Sequence, residues 1–295
     1  MSPTPERHRL AIVLLSIGAF AALFGGPLVA LIRDWWNDSD AGYGLLLAPV
    51  AIWLAWRSRP LAGGRAGDCR STTGNRAWGL GILLAAITLR YVSGLAAELF
   101  TMRMSVLLAL GGLTTYYFGL RQVRAWWLPF LLLMLSVPLP EMIRGSLTLP
   151  LQLRASRAGA ALLEWRGVPV RLSGNIIELP GRKLFVTEAC SGLRSLTALV
   201  SLSVLLGAIL LRSWAGRAAV VLGAVAIAIG VNAIRVFLTG FLAVFADPQL
   251  ADGFLHLSEG WLLFLVSLAL VSGGALLLRS LERLRFRLVV AEAVP

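Results

Sequence analysis

The chain has 295 residues, of which 58% are apolar and only 14% charged, and its mean hydropathy is +0.79. Ordinary globular chains are roughly half apolar and about a quarter charged; a core of this length cannot hold the excess, so a soluble protein is excluded and lipid is the expected solvent. The formal net charge of +12 does not point to nucleic acid, because the basic residues stand singly between apolar runs; loops held against an anionic leaflet account for them.

A helix crossing ~30 Å of hydrocarbon needs ~20 residues. Eight segments are candidates, at about 10–32, 42–56, 77–95, 98–120, 126–143, 192–211, 218–246 and 253–278. The second is short and the seventh long. The first is expected to be a retained span, since its apolar run is too long for a removable signal and lacks a small-residue cleavage site. No soluble domain is expected after the eighth.

The loops set the orientation. Arg7, His8 and Arg9 precede span one, and Arg57, Arg59, Arg65, Arg70 and Arg76 lie between spans two and three. Arg121 and Arg124 follow span four, Arg212 and Arg217 follow span six, and Arg279, Arg283, Arg285 and Arg287 follow span eight. With eight spans these segments share one side. The opposite loops carry Asp34, Asp38 and Asp40, then Asp247 and Asp252. The positive-inside rule therefore predicts both termini in the cytoplasm of a cell whose inner membrane holds the chain.

Residues 144–191 break the helical pattern and read as a long external excursion. Residues 150–166 are predicted helical, with Arg154, Arg157 and Glu164 on one arc. Val168–Leu172, Ile176–Leu179 and Lys183–Thr187 then read as short strands, separated by the turn formers Ser173-Gly174-Asn175 and Pro180-Gly181. The expected fold is an all-α polytopic membrane protein of about eight transmembrane helices. It forms a single membrane domain, with a small external helix and β-meander insertion before helix six.

Three residues stand out chemically. Cys190 is predicted where the excursion turns into the N-terminus of span six, whose free N–H groups favour a thiolate, with Arg194 one turn on. Read alone, it is either a nucleophile or a small buried hydrophobe. The chain's two cysteines, Cys69 and Cys190, are too few for a disulfide framework. Arg235 lies well inside span seven, where an arginine costs ~2.5–3.5 kcal/mol on insertion scales and usually faces a cavity or partner. Asn232 and Thr239 fall on its face of the helix. An interhelical clamp is the alternative reading. His256 opens span eight with Glu259 at i+3, and it is the only histidine predicted outside, since the other is His8; a hydrogen-bonded filler is its alternative.

Together, a thiol, an imidazole and a guanidinium at the outer ends of three consecutive spans make an acyl-transfer set. The depths disagree, however: counting residues puts Arg235 roughly 10 Å below the outer edge of its helix. A sunken cavity or a helix tilt or stagger is required.

Three blocks carry a family resemblance: Glu188-Ala189-Cys190-Ser191-Gly192-Leu193-Arg194-Ser195-Leu196, Asn232-Ala233-Ile234-Arg235-Val236, and His256 with Gly260 four residues later. They resemble the signature blocks of the exosortase/archaeosortase family over about residues 145–265. Leu149-Pro150-Leu151-Gln152 and Gly167-Val168-Pro169-Val170 followed by Gly174-Asn175-Ile176 resemble the family's lead-in to the cysteine. Where many bacterial members have a Tyr-Ser-His-Gly-type stretch, this chain has Ala41-Gly42-Tyr43-Gly44; the departure bears on the recognition motif and leaves the three chemical residues untouched. The resemblance implies Cys190 as nucleophile, Arg235 assisting the transition state, and His256 as general acid/base. Ser191, Gly192, Arg194, Asn232, Glu188 and Glu259 are the expected supporting residues. It also implies partners: exported proteins with a C-terminal signal made of a Pro-Glu-Pro-like motif, a transmembrane helix and a basic tail. A lipid or glycan acyltransferase using Cys190, and a transporter using Arg235 as an anion site, are the competing readings. No metal or cofactor is expected, since neither a phosphate-binding glycine loop nor a ligand-spaced cluster occurs.

Overall fold

A computed structural model of the chain describes residues 5–38, 40–58, 73–187, 191–245 and 254–292, of which 5–10, 73, 254–259 and 286–292 are described by backbone alone. The chain divides into two compact units, Met1–Pro140 and Glu141–Pro295. Among the described residues, six helices are long and apolar enough to cross a membrane. Little of their apolar surface is covered by protein, from 11% of the Ala11–Asn37 window to 39% of the Leu99–Phe118 window. Outward-facing side chains such as Leu15, Trp56, Trp78 and Leu222 match lipid as the solvent, and the chain is a multi-pass membrane protein.

The first unit contains α1 (Pro5–Asn37), α2 (Gly44–Arg57), α3 (Thr73–Leu95), α4 (Leu99–Phe118), α5 (Leu120–Ala125) and α6 (Trp127–Leu135). The hairpin of α3 and α4 closes through glycines. A Cβ on Gly79 would lie 2.6 Å from the Tyr116 backbone, and one on Gly112 would lie 2.9 Å from Leu83. Without a hydrophobic drive between helices in lipid, such close backbone approach supplies the packing. Glu98 caps α4, its carboxylate accepting from the N–H of Phe100 at 3.1 Å and of Thr101 at 2.6 Å, and from the Thr101 hydroxyl. Those donors hold the Glu98 carboxyl below its usual pKa, the Thr101 hydroxyl contributing most. α1 lies on α4 through Phe24, Val106 and Ala109, and Arg103 of α4 forms an ion pair with Asp34 of α1. The Trp35 indole donates to the Ser136 carbonyl at 2.8 Å.

Two of the eight expected spans differ. The segment 42–56 becomes α2, a helix of 14 residues, about 21 Å at 1.5 Å per residue. The expected span 126–143 is interrupted at both ends. Trp126 separates α5 from α6, and α6 stops at Leu135 ahead of Pro138 and Pro140. Proline disfavours helix in the residue before it and lacks an N–H to donate. α2 and α6 pack on each other.

The second unit begins with α7 (Glu141–Trp165), which starts nine residues before the predicted helix. Strands β1 (Arg171–Ser173), β2 (Ile176–Leu179) and β3 (Arg182–Phe185) follow as an antiparallel meander in the order β1-β2-β3. Its turns use Gly174 at φ +63° and Gly181 at φ +80°, a region that L side chains rarely enter. Glu178 and Lys183 are paired across β2 and β3 and form a 2.8 Å ion pair, which lowers the Glu178 pKa. Helices α8 (Leu193–Leu210), α9 (Trp214–Phe245) and α10 (Phe254–Glu292) complete the unit. α10 outlasts its predicted span because no Gly or Pro occurs between Ala275 and Glu292.

Two cores organise this unit. Leu199, Leu211, Val220, Ala224, Ala228, Val271 and Ala275 join α8, α9 and α10. Ala155 and Leu163 of α7, Ile177 and Leu179 of β2, Val186, and Val236 and Ala243 of α9 form the other. The sheet is therefore a wedge between α7 and the C-terminal half of α9.

Candidate active site

The α7–α9 contact sets the frame. A Cβ on Gly159 would lie 2.6 Å from Val236 Cγ1, and one on Gly240 would lie 2.8 Å from Leu163. Small residues thus seat α7 along α9, while Leu184 of β3 and Phe237 and Phe241 of α9 pack at the edge of this contact. The C-terminal turns of α9 are clad by α7 and the sheet.

α8 starts against the middle of α9. Gly192 adopts the left-handed conformation at φ +79° as the N-cap of α8. A Cβ there would lie 2.6 Å from Cγ and 2.9 Å from Cβ of Asn232. The position excludes side chains twice over, by backbone conformation and by contact. Ser191 is buried, and its hydroxyl accepts from the Leu193 N–H at 3.2 Å. The Ser195 hydroxyl donates to the Gly192 carbonyl at 3.0 Å. Asn232 is itself buried, at 6% exposure, so its amide packs directly on the turn that opens α8.

Arg235 lies one turn along α9 from Asn232, and its guanidinium reaches α10. A Cβ built on Gly260 would meet Nη2 at 3.6 Å and Cζ at 3.7 Å. The Thr239 hydroxyl donates to the Arg235 carbonyl at 2.9 Å. His256 falls one turn before Gly260 on the backbone of α10.

These contacts resolve the depth conflict through helix stagger. Gly192 at the start of α8 is level with Asn232, thirteen residues before the end of α9, or about 20 Å. Gly260 is level with Arg235 although it lies only six residues into α10. Arg235 is deep relative to its own helix and shallow relative to its neighbours. Ser191, Gly192, Asn232 and Arg235 are brought together. Arg194 is exposed on the first turn of α8. Glu188 and Cys190 lie outside the described residues, as do the side chains of His256 and Glu259. Covalent geometry alone keeps Cys190 within about 7 Å of Gly192, two residues on.

Beside this group lies a cleft between α7 and α9, whose lining also includes Ser191, Gly192 and Leu196 at the start of α8. Arg154, Ala155 and Ala158 form its α7 wall. The sequence shows Arg154 on an arc with Arg157 and Glu164, but not that Arg154 alone borders the start of α8; the small residues Ala155, Ala158 and Gly159 were the available signal that this helix presents a close-packing face.

A sequence model of the family described as transmembrane exosortase matches residues 35–273, which include Cys190, Arg235 and His256. No curated protein and no solved structure gives a significant match. With more than three quarters of its length matched, on a helical membrane fold that brings the Gly192, Asn232–Arg235 and Gly260 segments together, the chain belongs to the transmembrane exosortase family.

Proposed function

We propose that this exosortase is a cysteine peptidase or transpeptidase that cleaves the C-terminal sorting signal of exported proteins. The signal would comprise a Pro-Glu-Pro-like motif, a transmembrane helix and a basic tail. The observation that carries this reading is the pair of contacts Gly192–Asn232 and Arg235–Gly260, which draws together three segments far apart in sequence. Cys190 precedes Gly192 by two residues in the chain, Arg235 is on α9, and His256 precedes Gly260 by four residues, so these contacts support assigning the three chemical roles to one site.

The reaction proceeds in two balanced steps. The Cys190 thiolate attacks the scissile carbonyl carbon, and negative charge develops on its oxygen. Arg235 stabilises that oxyanion as a positioned cation, the kind of preorganised charge that lowers the barrier where negative charge develops. The C–N bond then breaks, the leaving amine takes a proton from His256, and a thioester remains on Cys190. In the second step water or an acceptor amine attacks the thioester, His256 removes its proton, and the thiolate is released. Asn232 and Gly192 position the start of α8, while Glu188 and Glu259 orient the flanking groups.

The site faces the outer side of a bacterial inner membrane, with both termini cytoplasmic. The substrate's helix diffuses laterally in lipid, its basic tail held inside by the rule that orients the enzyme, which delivers the motif to Cys190. The test is processing of a tagged substrate tail by the intact chain and by Cys190→Ala. Loss of cleavage in the variant, at unchanged membrane abundance, is expected; cleavage at the native rate would overturn the reading. A membrane-impermeant maleimide should label Cys190 and spare Cys69, and the reverse pattern would invert the orientation.

A further inference from the structure

We infer that the cleft between α7 and α9 is the subsite for an acidic side chain of the substrate beside the scissile bond, with Arg154 as the residue that binds its carboxylate. This rests on the peptidase reading and deepens it by naming the chemistry that the site selects. Position is the first argument. The lining of the cleft includes Ser191 and Gly192, the residues directly after Cys190, so a group lying in the cleft is adjacent to the nucleophile.

Shape is the second argument. The lining is mainly apolar, with Ala155 and Ala158 on α7 and Ala228 and Ala233 on α9 beside the larger Leu151 and Ile229. It suits the aliphatic stem of a side chain. Charge is the third. Among the described residues, Arg154 is the one ionisable group lining the cleft, it is exposed, and it has no ion-pair partner. The carboxylates of its own helix, Glu141 and Glu164, are thirteen and ten residues away, about 20 and 15 Å along the axis. Glu141 is already paired with Arg144.

An arginine on the lining of an apolar cleft matches a carboxylate in charge and in its two-pronged geometry. The contact is formed equally in the ground and transition states, because the carboxylate is not the reacting group. It therefore acts on substrate affinity and leaves turnover nearly unchanged. Arg154 acts as a specificity residue.

The test is a double-mutant cycle on the full chain in nanodiscs. The substrate is a synthetic tail with one glutamate in its motif, and its Glu→Gln form is the partner variant. Arg154→Gln is expected to raise KM for the glutamate tail by about 10- to 100-fold at nearly constant kcat. The Glu→Gln tail should lose a similar factor with the native enzyme and nothing further with Arg154→Gln; Arg154→Lys should recover part of the loss. Equal losses by Arg154→Gln on both tails, or a fall in kcat alone, would overturn the proposal. An effect that disappears when phosphatidylcholine replaces anionic lipid would assign Arg154 to a phosphate headgroup and overturn it too. The outcomes separate cleanly from those of the parent reading. An inactive Cys190→Ala with an additive cycle sinks only the subsite, whereas an active Cys190→Ala sinks the peptidase.

Discussion

Arginine meets different neighbours in the two units. In the first, Arg103 on α4 is closed by Asp34 on α1, and Glu98 spends its carboxylate on the free N–H groups of α4. Charge there holds helices together. In the second, the Arg235 guanidinium lies against Gly260, a residue without a side chain, and Arg154 borders a cleft. Glycine contacts there bring helix starts level with a cation. An arginine within an apolar helix is costly; under the proposed mechanism the Arg235 charge acts on the reaction, whereas that of Arg103 is held by Asp34.

That contrast is broken most forcefully at Arg235. Arg235→Ala is expected to lower kcat by about two to three orders of magnitude, as for loss of an oxyanion donor, with the thermal midpoint in detergent close to native. A large fall in midpoint with kcat retained in the folded fraction would make Arg235 a clamp like Arg103. The mirror experiment is Arg103→Ala, expected to destabilise the fold by about 3 kcal/mol because it strands Asp34. This is the low end for buried pairs, since the Asp34 side chain keeps 27% exposure. Turnover per folded molecule should not change; a selective loss of kcat would erase the distinction between the units.

Gly192→Ala sharpens the comparison at a finer scale. Its positive φ costs an L residue about 1–2 kcal/mol, and the new methyl group meets Asn232. Cleavage should fall about tenfold or more while unit-one stability, read by hydrogen exchange of α3 and α4, stays native. Faster exchange in α3 and α4, or unchanged cleavage, would contradict the proposed close contact. Glu98→Gln carries the smallest effect, about 1 kcal/mol for a weakened cap. The pH dependence has a defined sign. The folded Glu98 pKa lies below the ordinary glutamate value, so its contribution is complete above that ordinary value and disappears as pH falls through the folded pKa. Thermal midpoints of native and Glu98→Gln should therefore converge as acidification protonates the folded Glu98, and a constant gap would remove the cap from the account.

The sequence made some of this legible for identifiable reasons. Asn232 and Arg235 are conspicuous because polar groups in an apolar helix are expensive, and the turn glycines of the β meander follow from backbone sterics. The interruption at Trp126 escaped because a hydropathy window averages over a one-residue break. The early start of α7 escaped because residues 141–143 were counted with the preceding span, and Pro150, a residue suited to a first helical turn, concealed the helix running ahead of it. Helix stagger is invisible to span counting, which assumes that neighbouring helices begin in one plane; this is why Arg235 looked too deep. Arg154 was hidden because α7 scatters its polar residues, and only the seat of Gly159 on Val236 reveals which face borders α9.

The central claim is that the second unit carries covalent chemistry at Cys190. Its most direct test is mass spectrometry of the full chain quenched in acid during turnover of a synthetic sorting tail. The account predicts a thioester adduct of the substrate's N-terminal fragment on the Cys190 peptide, lost on hydroxylamine treatment and absent in Cys190→Ala. Cleaved product accumulating with Cys190 unmodified, together with an active Cys190→Ala, would contradict it.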